Sequence, residues 1–131
     1  MVLIAGKFEN TGNENFAQYL KSLGPEITDE LASKMDSSRP TIEIKVDGDN
    51  CSISSTTGRG QTFTFGKTFE DEPLPGQKAQ STAVLSGNKV EIKSVSGSTT
   101  GNRVYEFSDS GLVVHYSAPS GVTAKRIYKR L

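Results

Sequence analysis

The chain has one cysteine, one histidine, no excess of charge of either sign and no long apolar run. A lone thiol, Cys51, cannot form an internal disulfide. With 15 basic residues against 15 acidic ones the formal net charge is zero. No global field therefore draws the chain to an anionic membrane or to nucleic acid. Long nucleic acids are not expected as partners, because binding them needs a basic face that displaces counterions. No segment approaches the roughly 20 apolar residues that span a bilayer. The opening Met1-Val2-Leu3-Ile4-Ala5 stops at Gly6-Lys7, too soon for a secretory leader. The expectation is a soluble, cytoplasmic protein, in which the triplet Asn50-Cys51-Ser52 carries no glycan.

Scarcity removes most chemistry as well. Beyond carboxylates and lysines, only His115 and Cys51 could act as base or nucleophile near neutral pH, and no triad signature surrounds either. His115, between Val114 and Tyr116, is expected to face outward, and Cys51 to be a small buried residue. No Cys/His cluster has metal-ligand spacing, so no metal, no cofactor and no enzymatic activity are expected. Gly58-Arg59-Gly60, and Gly97 with Gly101, lack the following Lys-Ser/Thr and helix of a phosphate loop and read as hairpin turns. Glu70-Asp71-Glu72 reads most simply as a solvated acidic turn.

What is present is a pattern of short alternating segments. A length of 131 residues suits a single domain, residues 1–131. An apolar fraction of 34% with 13 glycines points to a β-rich chain with many turns. Residues 6–10 form a first strand anchored by Phe8. Phe16, Tyr19, Leu20 and Leu23 then fall at helical spacing, Gly24-Pro25 breaks the helix, and Ile27, Leu31 and Met35 resume it. Acidic Asp29 and Glu30 come early and Lys34 late, as the helix dipole prefers. The two short helices, about residues 14–36, are too small to stand alone and must cover something. From Arg39-Pro40 onward the segments alternate at period two between turns such as Asp47-Gly48-Asp49, Ser86-Gly87-Asn88 and Ser108-Asp109-Ser110-Gly111. The reading is all-β: ten strands in an antiparallel up-and-down barrel, closed to remove its edges and lidded by two helices between the first two strands. A barrel of that width is not filled by side chains and encloses a cavity.

The last segment, Lys125-Arg126-Ile127-Tyr128-Lys129-Arg130-Leu131, puts Ala124, Arg126 and Tyr128 on one strand face. Those residues suit the wall of a cavity that receives an acid. An arginine fork donates two parallel bonds to a carboxylate and a tyrosine hydroxyl a third. On spacing alone, a solvated Arg-Tyr edge is the simpler account.

Taken together, Gly6-Lys7-Phe8, Asn15-Phe16, Tyr19-Leu20, Leu23-Gly24, Arg39-Pro40-Thr41, Asp47-Gly48-Asp49, Gly66-Lys67-Thr68-Phe69-Glu70 and Arg126-Ile127-Tyr128 cover the whole chain. In that order and at those intervals they resemble the intracellular lipid-binding proteins, the fatty-acid-binding and cellular retinoid-binding group. The resemblance implies a β-clam barrel that carries a long-chain fatty acid non-covalently. It turns Arg126 and Tyr128 inward onto the carboxylate and brings Phe16 and Tyr19 of the lid against the ligand tail. Three departures stand out. Asn10 and Ala17 replace an apolar and an acidic residue, and the turn at Gly58-Arg59-Gly60 is short and lacks an aromatic. Tyr105 occupies the position of a second arginine, with Arg103 two residues earlier on the same face. Arg103 and Tyr105 are then either part of the site or an exposed cross-strand pair. The implied partner is a small hydrophobic ligand, with transient membrane contact through the lid, in a monomer. The alternatives are a retinoic acid carrier and an adaptor that uses the lid or barrel surface.

Overall fold

In the computed structural model, residues 4–22, 27–56, 60–74, 77–96, 99–118 and 120–131 are described. Readings that fall on Leu23-Gly24-Pro25, Gly58-Arg59, Gly97 or Pro119 lie outside them. The chain runs β1 (Gly6–Glu14), α1 (Phe16–Lys21), α2 (Asp29–Ser37), β2 (Thr41–Asp47), β3 (Asn50–Ser55), β4 (Gly60–Thr64), β5 (Thr68–Leu74), β6 (Gln77–Ser86), β7 (Lys89–Ser96), β8 (Thr99–Phe107), β9 (Gly111–Ser117) and β10 (Thr123–Arg130). All ten strands belong to one antiparallel sheet, ordered β4-β3-β2-β1-β10-β9-β8-β7-β6-β5. It is a nearly closed barrel with the helices between β1 and β2, as the alternation and turns predict.

Closure differs from the expectation at one place. β4 and β5 end the sheet and share no hydrogen-bond ladder. Side chains span the gap instead: the Phe63 and Phe69 rings stack at 4.8 Å between centroids, and Gln61 Nε2 donates to Asp71 Oδ1 at 2.6 Å. A second difference is at the acidic run. The segment read as a loop continues β5 to Leu74, and Asp71 is buried rather than solvated. Strand alternation sends Asp71 to the face opposite exposed Glu70.

The first strand also outruns its expected end at Asn10. It bulges between Asn10 and Gly12 and stays paired with β10 as far as Glu14. Asn15 then turns the strand into α1 with φ at 57°, a left-handed conformation that asparagine tolerates better than most side chains. Its amide fixes the corner by donating to Thr123 O at 2.8 Å. α2 starts where the sequence signals it: the Thr28 hydroxyl accepts from Leu31 N at 3.1 Å, with Asp29 and Glu30 in the first turn.

Two apolar clusters follow from this layout. One lies within the barrel and includes Phe8, Ile42, Ile44, Phe63, Val90, Ile92, Phe107, Leu112 and Val114. The other joins the lid residues Phe16, Tyr19, Leu20, Ile27 and Ala32 to Ala118 and Ala124 at the ends of β9 and β10. Tyr116 packs against both. Among the described residues, no helix is long and apolar enough to cross a membrane.

Candidate functional site

Period-two alternation in β10 places Ala124, Arg126 and Tyr128 inside the barrel and leaves Lys125 and Lys129 exposed. A guanidinium in such a place must be satisfied by something, since an uncompensated interior charge costs several kcal/mol. Arg126 Nε donates to Asn13 Oδ1 at 3.1 Å, and Nη2 donates to Ser38 O at 3.0 Å and to Asn10 Oδ1 at 3.4 Å. The Phe16 ring lies 4.6 Å from its central carbon. Every one of these partners is neutral, and no carboxylate pairs with Arg126 among the described residues.

The partners of Arg126 come from the lid end of the molecule. Phe16 opens α1, Ser38 caps α2, and Asn13 ties the last turns of β1 to α2 by donating to Asp36 O and Oδ1 at 2.8 and 2.9 Å. Asn10, which replaces an apolar residue, is buried because the bulge gives it work. Its amide donates to Ile127 O at 2.9 Å and Gly12 O at 3.1 Å, while its oxygen faces Arg126. No pattern in the sequence announces this; a lone asparagine in a strand carries no periodic signal.

Two of the chain's four tyrosines, Tyr116 and Tyr128, feel the charge of this arginine, and the other two, Tyr19 and Tyr105, that of Arg103. Tyr19 and Tyr116 have ring centroids 5.2 Å apart, and Phe16 lies 5.4 Å from Tyr116. Burial pushes the Tyr128 hydroxyl up to about 12, against the pull of Arg126. Burial likewise raises Tyr19 and, more strongly, Tyr116. Tyr19, Tyr116 and Tyr128 are therefore protonated donors near neutral pH. Among the described residues none of the four hydroxyls has a hydrogen-bond partner, so they are free to donate to an oxygen atom brought in from outside.

Arg103 and Tyr105 also point inward. Tyr105 is buried, and Arg103 keeps 15% of its side-chain surface accessible. The account of them as an exposed cross-strand pair does not hold. Arg103, unlike Arg126, meets a carboxylate: Nη2 bonds Asp71 Oδ2 at 2.5 Å. Burial opposes its charge, yet Tyr105, Asp71, Tyr116 and Tyr19 outweigh that and hold its pKa above the ordinary arginine value. The structure thus brings Arg126, Tyr128, Tyr105, Arg103, Phe16 and Tyr19 to one interior. It adds Tyr116, Asn10, Asn13 and Asp71, which sequence reasoning missed. Tyr116 shares the face of Val114 in β9 and could have been found from that alternation.

Elsewhere the other candidates are plain. His115 faces out and bonds Glu106 across the strands at 3.1 Å, which holds the Glu106 carboxyl below its usual range. Cys51 is buried, and burial pushes its thiol up to about 11. Among the described residues no group of His, Cys, Asp or Glu could hold a metal ion.

The model of the lipocalin / cytosolic fatty-acid binding protein family matches residues 2–131. The chain is 34% identical to a fatty acid-binding protein of Tyrophagus putrescentiae over 99% of both chains. It is 31% identical to cellular retinoic acid-binding protein 1 of Gallus gallus over 96% of each. Among solved structures, the REP1-NXSQ fatty acid transporter superposes with a TM-score of 0.87 at 30% identity. That match covers 98% of this chain and 96% of the other.

Proposed function

The chain belongs to the lipocalin / cytosolic fatty-acid binding protein family, and we propose that it is a cytoplasmic carrier of a long-chain fatty acid. The acid is held non-covalently inside the barrel, its carboxylate on Arg126 and Tyr128. The observation that carries this reading is the buried Arg126, whose partners are amide oxygens, a carbonyl and a ring but no anion. A carboxylate arriving beside it exchanges a charge facing dipoles for a charge facing a charge. Tyr128 and its neighbouring phenols supply further donors.

Affinity and orientation divide between the two ends of the ligand. Each buried methylene contributes about 0.8 kcal/mol, so the acyl tail dominates the binding energy. The apolar wall of Phe8, Ile42, Ile44, Phe63, Ile92 and Leu112 is suited to it. The polar end fixes direction, and Phe16 and Tyr19 close over the lid side. No covalent step is involved, so no nucleophile or metal is required, and the protein works as a monomer.

The test is displacement of a fluorescent fatty acid by oleate from delipidated protein. Stoichiometric binding is expected, with Arg126→Gln weakening it about tenfold or more while the circular dichroism spectrum is kept. Absence of any acyl ligand binding at micromolar concentration overturns the reading. Retinoic acid is the second candidate. It presents the same carboxylate to an inward Arg-x-Tyr, and the Gallus gallus relative carries its name. Competition between retinoic acid and oleate for one pool of protein separates the two.

A further inference from the structure

The interior holds two arginines that differ in what faces them. Arg103 of β8 is met by Asp71 of β5, although two strands lie between them. Asp71 Oδ2 also accepts from Ser81 Oγ of β6 at 2.7 Å, and Ser94 Oγ of β7 lies 3.5 Å from the same oxygen. The two serine hydroxyls are 2.7 Å apart. Gln61 of β4 holds the other oxygen, Oδ1, at 2.6 Å. Five strands therefore converge on one buried carboxylate, and one guanidinium is neutralised by it. The Nε of Arg103 is buried without a partner. That edge of the guanidinium is sealed off rather than offered to an incoming anion.

Arg126 is the opposite case. Its acceptors are all neutral, and its Nη1 donates to nothing among the described residues. Among the described residues, the interior charges are two arginines and one aspartate, and the positive charge that meets no carboxylate is that of Arg126.

We infer that Asp71 is a specificity-determining residue: by neutralising Arg103 it restricts the interior to lipids whose head group carries one negative charge. The inference rests on the carrier reading above. A doubly charged head facing Arg126 alone would bury one unit of uncompensated charge, which is costly in a low-dielectric interior. Such a ligand must either stay out or enter with an added proton. Removing the Asp71 charge frees Arg103 and makes room for a dianion.

The experiment is calorimetric titration of delipidated protein with palmitate and with hexadecyl phosphate at pH 8, in two buffers of different ionisation heat. An alkyl phosphate is largely dianionic there, its second pKa lying near 6. Wild-type protein is expected to bind the phosphate at least about tenfold more weakly than palmitate, or to take up about one proton per phosphate bound. In Asp71→Asn the phosphate-to-palmitate affinity ratio is expected to rise about tenfold or more, with no proton uptake. Wild-type protein that binds the dianion as tightly as palmitate without taking up a proton overturns the inference. An Asp71→Asn ratio equal to the wild-type ratio does so too, since a purely structural Asp71 would weaken both lipids alike. The first comparison needs only the wild-type chain, so a variant that fails to fold leaves the test standing. Wild-type protein that binds neither lipid removes the carrier reading itself, an outcome distinct from the others.

Discussion

Arg126 is surrounded by oxygen atoms, none of which carries a formal charge. The Tyr116 and Tyr128 phenols that feel its charge matter because they remain neutral. Tyr128 ionises at about 12 in the folded chain against 10.0 for an ordinary tyrosine. A phenol raised in this way supports the fold fully below pH 10, and that support is lost as pH rises through 12. Stability measured by urea unfolding should therefore fall by about 3 kcal/mol across that window from this group alone. Tyr128→Phe should make the fall shallower. A wild-type chain whose stability stays flat from pH 10 to 12 would show that these hydroxyls are not buried beside Arg126. At neutral pH the same substitution removes one donor to the head group and should weaken fatty-acid binding by about 1 kcal/mol.

Between β4 and β5 the sheet is joined by side chains where a ladder would otherwise run. Stacked Phe63 and Phe69 and the Gln61–Asp71 bond hold the two edges together. Backbone groups without a ladder partner exchange with solvent more readily. Hydrogen exchange should accordingly be faster along the facing edges of β4 and β5 than in β7 and β8, which are paired on both sides. Phe63→Ala should cost about 3–5 kcal/mol by removing a buried ring and leaving a hole at the seam. Uniform protection around the barrel would contradict the gap. Gly111 shows how tightly the remaining strands are drawn: a Cβ there would collide with Tyr128 O and press on Lys129 Cα at 3.2 Å. β9 can approach β10 this closely because that position bears no side chain.

For the molecule as a whole, the lid and the barrel meet at Arg126, so filling the interior should stabilise both. A ligand at about 100 times its Kd adds about 2.7 kcal/mol to stability, which for a chain of this size raises Tm by about 10 °C. Differential scanning calorimetry of delipidated protein with and without oleate measures it. An unchanged Tm at saturating oleate would mean that the fatty acid does not bind the folded form.

Much of the architecture was legible because its determinants are local. The turns between strands, the period-two alternation and the capping of α2 by Thr28 each depend on neighbours a few residues away. Alternation alone turns Arg126 and Tyr128 to one face, and the strand count makes that face concave. The pairing of Asp71 with Arg103 could not be read this way. Asp71 stands in a run of three acids that looks solvated, and its partner lies 32 residues further along the chain. Only the curvature of the sheet brings β5 and β8 close enough across the interior for the two charges to meet. Asn10 is similar, because its role depends on a bulge that no residue pattern signals. The linear order of residues thus decided which side chains face inward, since alternation is a property of each strand by itself. The folded barrel decided which inward charges are matched and which is left open, since that depends on distances across a space the chain must first enclose.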